Sequence, residues 1–412
     1  MERTVSGTAS GSLALKRADQ CITPGLTRVF AVSVGLIVTN VFAPQTLIGV
    51  MAPPLGLGQS VSGLIAMATL LGYAAGLFLL VPLGDIVENR ALVVRMLSCA
   101  AIAALAAAFA PSAATLLVAL ACLGAACSAI QVLVPIAASM AAPERRGGVI
   151  GDVMSGLMVG ILLARPVASF VADLWGWRSY YGLSGAAMAA LAVFLALRLP
   201  RRPAQARTRY SALLLSLWHL LRNEPVLRVR ALSAGLAMAA FSLFWTAVAL
   251  RLAGPPFLLD QRGIALFALA GAGGALVTPF FGRAGDRGWT RPATIACHLL
   301  VAVSFVLAGW GGAFGAGSSA VWPLLLLGLG AVVVDIGVTG DQTLGRRAIN
   351  LLQPEARGRL NALFVGLFFL GGAVGSALSG LLWSLGSWPA VCGTGVVLAL
   401  AMLLVDWRCR RL

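Results

Sequence analysis

Pro143-Glu144-Arg145-Arg146-Gly147 recurs as Pro354-Glu355-Ala356-Arg357-Gly358, 211 residues further along the chain. Gly160 with Gly371 and Trp177 with Trp388 keep the same offset. Self-similarity at about half the chain length points to a duplicated unit rather than two unrelated domains. A second pair of motifs supports it: Gly84-Asp85 followed by Arg90, and Gly285-Asp286 followed by Arg287 and Arg291. Chance supplies one such pair far more easily than both. Each copy borders a long apolar run, so the repeated unit is a set of apolar segments joined by basic loops.

Those runs dominate the composition. Of 412 residues, 59% are apolar and 11% charged, 48 are glycine, and the mean hydropathy is +0.93, well outside the range of soluble domains. A helix needs about 20 apolar residues to cross a hydrocarbon layer of about 30 Å. Twelve windows fit: 27–50, 61–83, 91–110, 113–140, 149–171 and 180–197, then 231–250, 264–281, 292–310, 321–340, 360–382 and 389–405. They are numbered below as the first to twelfth spans. The expected fold is an all-α integral membrane protein, twelve transmembrane helices in two six-helix bundles. The bundles cover 27–197 and 231–405, with tails at 1–26 and 406–412. Between them, 198–230 is rich in arginine and proline and reads as the linker. Within it, 210–221 is apolar but too short to span and is flanked by arginines, which predicts a helix lying at the membrane interface.

The net charge of +16 does not read as a nucleic-acid surface, because Lys16 is the only lysine and the arginines sit between apolar spans. Of the 30 basic residues, 26 fall on the side of the tails and linker, Arg346 and Arg347 after the tenth window among them. Arg178, Arg251 and Arg262 fall on the other side, and Arg165 lies inside a span. The positive-inside rule then places both termini in the cytoplasm of a multi-pass protein of the cell (inner) membrane. Residues 1–25 hold no apolar run of signal-peptide length, so cleavage is not expected. The seven cysteines have no paired spacing and read as small apolar packers.

The layout and loops resemble the major facilitator superfamily over essentially the whole chain. The family's loop between its second and third helices reads Gly-x-x-x-Asp-Arg-x-Gly-Arg-Lys/Arg. Here Val81-Pro82-Leu83-Gly84-Asp85-Ile86-Val87-Glu88-Asn89-Arg90 keeps the aspartate and the last basic residue but loses the first glycine and the intervening arginines. The second copy, Gly282-Arg283-Ala284-Gly285-Asp286-Arg287-Gly288 with Arg291, is closer. Thr39-Asn40-Val41-Phe42-Ala43-Pro44-Gln45 and Gly72-Tyr73-Ala74-Ala75-Gly76 look like a bacterial drug-exporter-like branch. The resemblance implies a monomeric, proton-coupled exporter of small molecules such as drug-like compounds, sugars or metabolites, working by alternating access. The alternative is a proton symporter or facilitator that imports a nutrient. Asp85, Arg90, Asp286, Arg287 and Arg291 are then gating-loop candidates, since an aspartate at a helix end facing arginines makes a charge-assisted latch. The competing reading is a solvated topology signal worth about 0 to 1 kcal/mol.

Polar groups at membrane depth are expensive and belong in a cavity, a pair or a helix contact. Asn40, Gln45, Tyr73, Gln131, Arg165, Trp245 and Asn361 are the candidate cavity wall, interhelical packing being the alternative for each. Ser155-Gly156-Leu157-Met158-Val159-Gly160 resembles an antiporter's glycine-rich helix, yet Arg165-Pro166 stands where a Gly-Pro would. The first role of Gly156 and Gly160 is close helix approach. Asp335, mid-span, and Asp341, about 9 Å further along the axis, are the proton-coupling candidates. A buried carboxyl holds a proton near neutral pH and releases it when water enters. The alternative for Asp335 is a fixed ion pair with Arg165, and His298 reads as a packer in the ninth span. A phosphate-binding Gly-x-x-x-x-Gly-Lys loop, His-Glu-x-x-His and Gly-x-Ser-x-Gly are all missing, so neither ATP hydrolysis nor metal or covalent catalysis is expected, nor any cofactor. The expected partners are a small-molecule substrate, protons and the lipid bilayer.

Overall fold

In a computed structural model, residues 22–142, 145–201, 209–313, 321–353 and 356–408 are described. Pro143-Glu144 and Pro354-Glu355 of the repeat, most of the first tail, and Cys21 and Cys409 lie outside them.

The first span is Pro24–Phe42 continued by Pro44–Met51. Thr23 caps it by accepting the Leu26 N–H at 3.2 Å. The break at Ala43 follows from Pro44, which has no N–H to continue the ladder. The second span runs Gln59–Ser62 and Leu64–Leu79, then tightens into a 3-10 turn over Val81–Asp85 that contains Pro82. Asn89–Ala108 is the third. Ala113–Cys127 with Ile130–Ser139 is the fourth, opened by a Ser112–Thr115 capping box. The fifth, Arg146–Trp175, meets the sixth, Trp177–Arg198, across Gly176 alone, whose φ of 83° lets one residue reverse the chain.

Tyr210–Asn223 forms the expected short helix of the linker, with Leu213 and Leu217 turned inward and Leu215 and Trp218 exposed. The seventh span starts earlier than its window, at Pro225, and runs to Ala253. Pro225 at the first helical position starts a helix well, which hydropathy alone misses. Thr290–Ala313 and Val321–Asn350 are the ninth and tenth spans. The eleventh and twelfth form one run, Arg357–Arg408, bent at Gly386 and Ser387.

Among the described residues, ten segments are each long and apolar enough to cross a membrane. The bent run holds two spans. The eighth is absent from those ten because it is broken: Gln261–Ala268, a 3-10 turn over Leu269–Gly271, then Ala272–Asp286. Glycine at 271, 273 and 274 removes the helix preference there.

Glycine contacts show the duplication directly. A Cβ on Gly160 would meet the backbone of Gly35, and one on Gly156 that of Ala31, which locks the fifth span to the first. A Cβ on Gly371 would meet Gly235, and one on Gly375 would meet Ala239, which locks the eleventh to the seventh in the same way. The halves then meet where the second span packs on the eleventh and the fifth on the eighth. The side carrying Arg146, Arg198, Pro225 and Arg357 is called the linker face below. Ser112, Gly176 and Gln261 lie at the far face.

Candidate functional site

A cavity of about 110 Å³ lies between the halves. The fifth span contributes residues from Met154 to Leu162, mostly on the linker-face side of its midpoint, and the tenth contributes Asp335 to Arg346, running toward that same face. The cavity therefore occupies the linker-side half of the bundle. Its polar wall is one stripe of the tenth helix, Asp335, Thr339, Gln342 and Arg346, spaced four, three and four residues apart so that all share a face. Tyr73 and Gln131 stand in the same cavity from the other half. Phe42, Phe241, Phe368, Phe369, Met154 and Met158 supply apolar wall.

Asp335 is 5% exposed and its Oδ1 accepts the Trp245 Nε1–H at 2.8 Å. Arg165 is 2% exposed and donates from Nε and Nη2 to Gln45 Oε1, both at 3.0 Å. Its guanidinium carbon lies 4.3 Å from the Trp245 ring centroid, 5.0 Å from that of Phe241 and 5.4 Å from that of Phe42. Desolvation of the cation is thus offset by aromatic faces and one amide. Arg165 and Asp335 do not close into an ion pair within 4.0 Å. Their charges act on each other across Gly271, in the break of the eighth span. A Cβ there would lie 2.9 Å from Asp335 Oδ2, 3.2 Å from the Trp245 ring and 3.6 Å from Arg165 Nη1.

Asp341 is placed differently. Six residues on a helix of 3.6 per turn rotate it about 120° away from Asp335. It faces the seventh and ninth spans, where its Oδ1 lies 3.0 Å from His298 Nε2 and accepts the Ser233 hydroxyl at 3.2 Å. Ser233 and His298 are 3.1 Å apart, and all three are buried. Asn40 lies inside the first half, where its Oδ1 accepts the Ser184 hydroxyl at 2.5 Å. Asn361 sits at the linker face, donating to Asn350 Oδ1 at 2.6 Å and to the Arg357 carbonyl at 3.0 Å. Asn40, Asn361 and Asp341 do not line the cavity, and Gln45, Arg165 and Trp245 stand behind its wall rather than in it.

At the linker face the Asp286 carboxylate meets Arg347 at 3.2 Å, not Arg287 or Arg291, which are exposed. Arg359, of the eleventh span, is the positive charge acting on Asp85, and Arg90 donates to the Leu199 carbonyl at 3.4 Å. At the far face the halves close on each other: Arg262 pairs with Asp173 at 2.6 Å, and Gly63 and Gly380 pack backbone to backbone.

Arg346 escapes a hydropathy window that ends at 340, yet the tenth helix runs on to Asn350 and carries it into the cavity. The legible signal is the 335-339-342-346 spacing of polar residues. His298 has no such signal, because its partners come from two other spans.

A model of the Major Facilitator Superfamily matches residues 29–341. The chain belongs to the Major Facilitator Superfamily. Similar proteins include the putative uncharacterized transporter YgaY of Escherichia coli (strain K12), 39% identical over 387 residues that cover 94% of this chain and 96% of YgaY. The purine ribonucleoside efflux pump NepI of Escherichia coli O1:K1 / APEC is 25% identical over 193 residues, 46% of this chain and 48% of NepI. Among solved structures, a mutant of the nucleoside transporter NupG superposes with a TM-score of 0.68 at 17% identity, covering 91% of this chain and 99% of that one. The chain is therefore a multi-pass membrane transporter of the superfamily type.

Proposed function

We propose that this transporter is proton-coupled, with Asp335 holding the exchanged proton and a small molecule bound beside it in the cavity. The observation that supports this most is a carboxylate, 5% exposed, in the wall of a cavity between two halves that pack closely at one face. Such a group binds a proton when the cavity is dry and loses it when water enters, so its charge follows the access state. Trp245 holds it in one orientation, and Arg165, across Gly271, supplies the countercharge that makes release possible. Asp341 sits in the His298–Ser233 cluster, so proton movement is assigned to Asp335 first.

In this reading the protein lies in the cell (inner) membrane as a monomer, with the linker face and both termini cytoplasmic, and the substrate binds from the cytoplasm. The linker-face charges act as latches: Asp85 with Arg359 between the halves, and Asp286 with Arg347 within the second half. Export by antiport is the direction the drug-exporter-like motifs suggest, and the named activity of NepI is in keeping with it. One observation favours the second reading, symport: Arg165 and Arg346 outnumber Asp335 around the cavity, so protonating Asp335 makes the site more attractive to an anion.

Inside-out vesicles with an internal pH dye test the proposal, using a panel of antimicrobials, sugars, nucleosides and organic acids on wild type and Asp335→Asn. Substrate-dependent proton movement in wild type that is lost in the variant is the expected result, and its sign separates antiport from symport. Full coupling in Asp335→Asn would remove Asp335 from the mechanism.

A further inference from the structure

We infer that the cavity takes a small organic anion, with Arg346 receiving its negative charge; this rests on the transport reading above and names the substrate class. Arg346 lines the cavity, and its buried Nε has no hydrogen-bond partner among the described residues. No carboxylate among those residues pairs with it: Asp286 is taken by Arg347 and Asp341 by His298. Asp335 is eleven residues away, about 16 Å along the helix axis. A buried guanidinium nitrogen left without a protein partner is costly, so a planar, five-donor group left open to a cavity marks the place of an anion from outside the protein.

The neighbours fit that charge. Tyr73, whose phenol feels the Arg346 charge, and Gln131 face it from the first half, and Gln342 precedes it by one turn on its own helix. Phenol and amide groups donate to carboxylate, phosphonate or sulfonate oxygens without adding negative charge. Met154, Phe368 and Phe369 add apolar wall to the same cavity. About 110 Å³ admits a short apolar body and one charged head. Protonating Asp335 removes the only carboxylate that lines the cavity among the described residues. At about 16 Å and an effective dielectric of about 20, this strengthens anion binding roughly fivefold. Proton and substrate then occupy the cavity together, which is the symport form of the reading above.

The test uses purified full-length protein in a zwitterionic detergent and in liposomes of zwitterionic lipid. The probes share one ring body: 3-phenylpropanoate, its amide and 3-phenylpropylamine, with phenylethylphosphonate as a second anion. Binding is read as displacement of melting temperature and by titration calorimetry. The anions are expected to bind wild type at least tenfold more tightly than the amide or the amine. Arg346→Gln loses at least tenfold in anion affinity, Arg346→Lys loses less, and Asp335→Asn gains about fivefold. Arg346→Lys keeps the measurement decisive if Arg346→Gln does not fold. Preference for the amide or amine, failure of both anions to bind, or equal anion affinity in wild type and both Arg346 variants overturns the inference. Adding anionic phospholipid to the liposomes separates the remaining source of such a head group: complete displacement of both probes by lipid would assign the site to a lipid and overturn a soluble substrate. Flux of the same probes keeps the two readings apart. Anion binding without flux of any compound defeats transport and leaves the class standing, whereas proton-coupled flux of the amine alone defeats the class and leaves transport standing.

Discussion

Trp245 touches both charged groups of the proposed coupling site. Its indole N–H holds Asp335 at 2.8 Å while its ring lies 4.3 Å from the Arg165 guanidinium carbon. Trp245→Phe keeps a ring for the cation but removes the donor, a loss of about 1.5 to 3 kcal/mol for a hydrogen bond to a charged group. Proton movement per substrate, read in the vesicle assay, is expected to fall severalfold with the protein still folded; unchanged coupling would mean that the hydrogen bond plays no part. Gly271→Ala tests the same point from the eighth span. Its methyl would stand 2.9 Å from Asp335 Oδ2 and 3.2 Å from the Trp245 ring, so substrate-dependent proton flux should drop at least tenfold with the melting temperature nearly constant. At this scale the sequence exposed the expensive residues, Arg165 and Asp335, because hydrocarbon makes them conspicuous. Their partners were not legible: Gln45 lies 120 positions from Arg165 and Trp245 lies 90 from Asp335. Pairings of that range depend on how helices are rotated, and one sequence does not encode rotation in any local pattern.

Elements repeat more faithfully than loops. Gly35–Gly160 and Gly235–Gly371 are equivalent crossings in the two halves, and in each a Cβ would press on the facing backbone. Gly160→Leu and Gly371→Leu are therefore expected to lower the melting temperature alike, by an overpacking cost of about 1 to 3 kcal/mol or more, measured in one detergent. A large loss in one and none in the other would break the equivalence. The 211-residue offset made this duplication visible, because Gly160 and Gly371 must keep their positions for the helices to approach. The broken eighth span was less legible. Its window, 264–281, is apolar throughout, and hydropathy does not distinguish a continuous helix from one unwound over Leu269–Gly271. The cost of opening backbone there is acceptable because the turn packs on the fifth and tenth spans instead of facing lipid. Hydropathy likewise ended the tenth span too early: Gln342 and Arg346 are polar for the cavity, and a window average reads them as the end of the membrane.

At the scale of the whole molecule, the two faces differ in how they are held. The far face is closed by an ion pair, Arg262 with Asp173, with side chains 60% and 18% exposed, and by close glycine packing between the second and eleventh spans. An ion pair that exposed contributes little stability, so it guides closure without preventing opening. In the proposed alternating access the far face would part between the fifth and eighth spans while the linker face closes, each state disfavouring the other. Asp173→Cys with Arg262→Cys, in a background lacking the native cysteines, puts a linkable pair across that seam. Bridging with a short thiol-specific reagent is expected to stop net transport and to leave linker-side probe binding intact, with activity returning when a cleavable bridge is reduced. Asp173→Asn alone should cost little, less than about threefold in rate, because the packed glycines still close the face. A bridged protein that transports at the unbridged rate would place the outward opening elsewhere, with the second and eleventh spans as the next seam to bridge. Bridging that abolishes both binding and transport would instead show that the cavity depends on far-face motion even in its linker-side state.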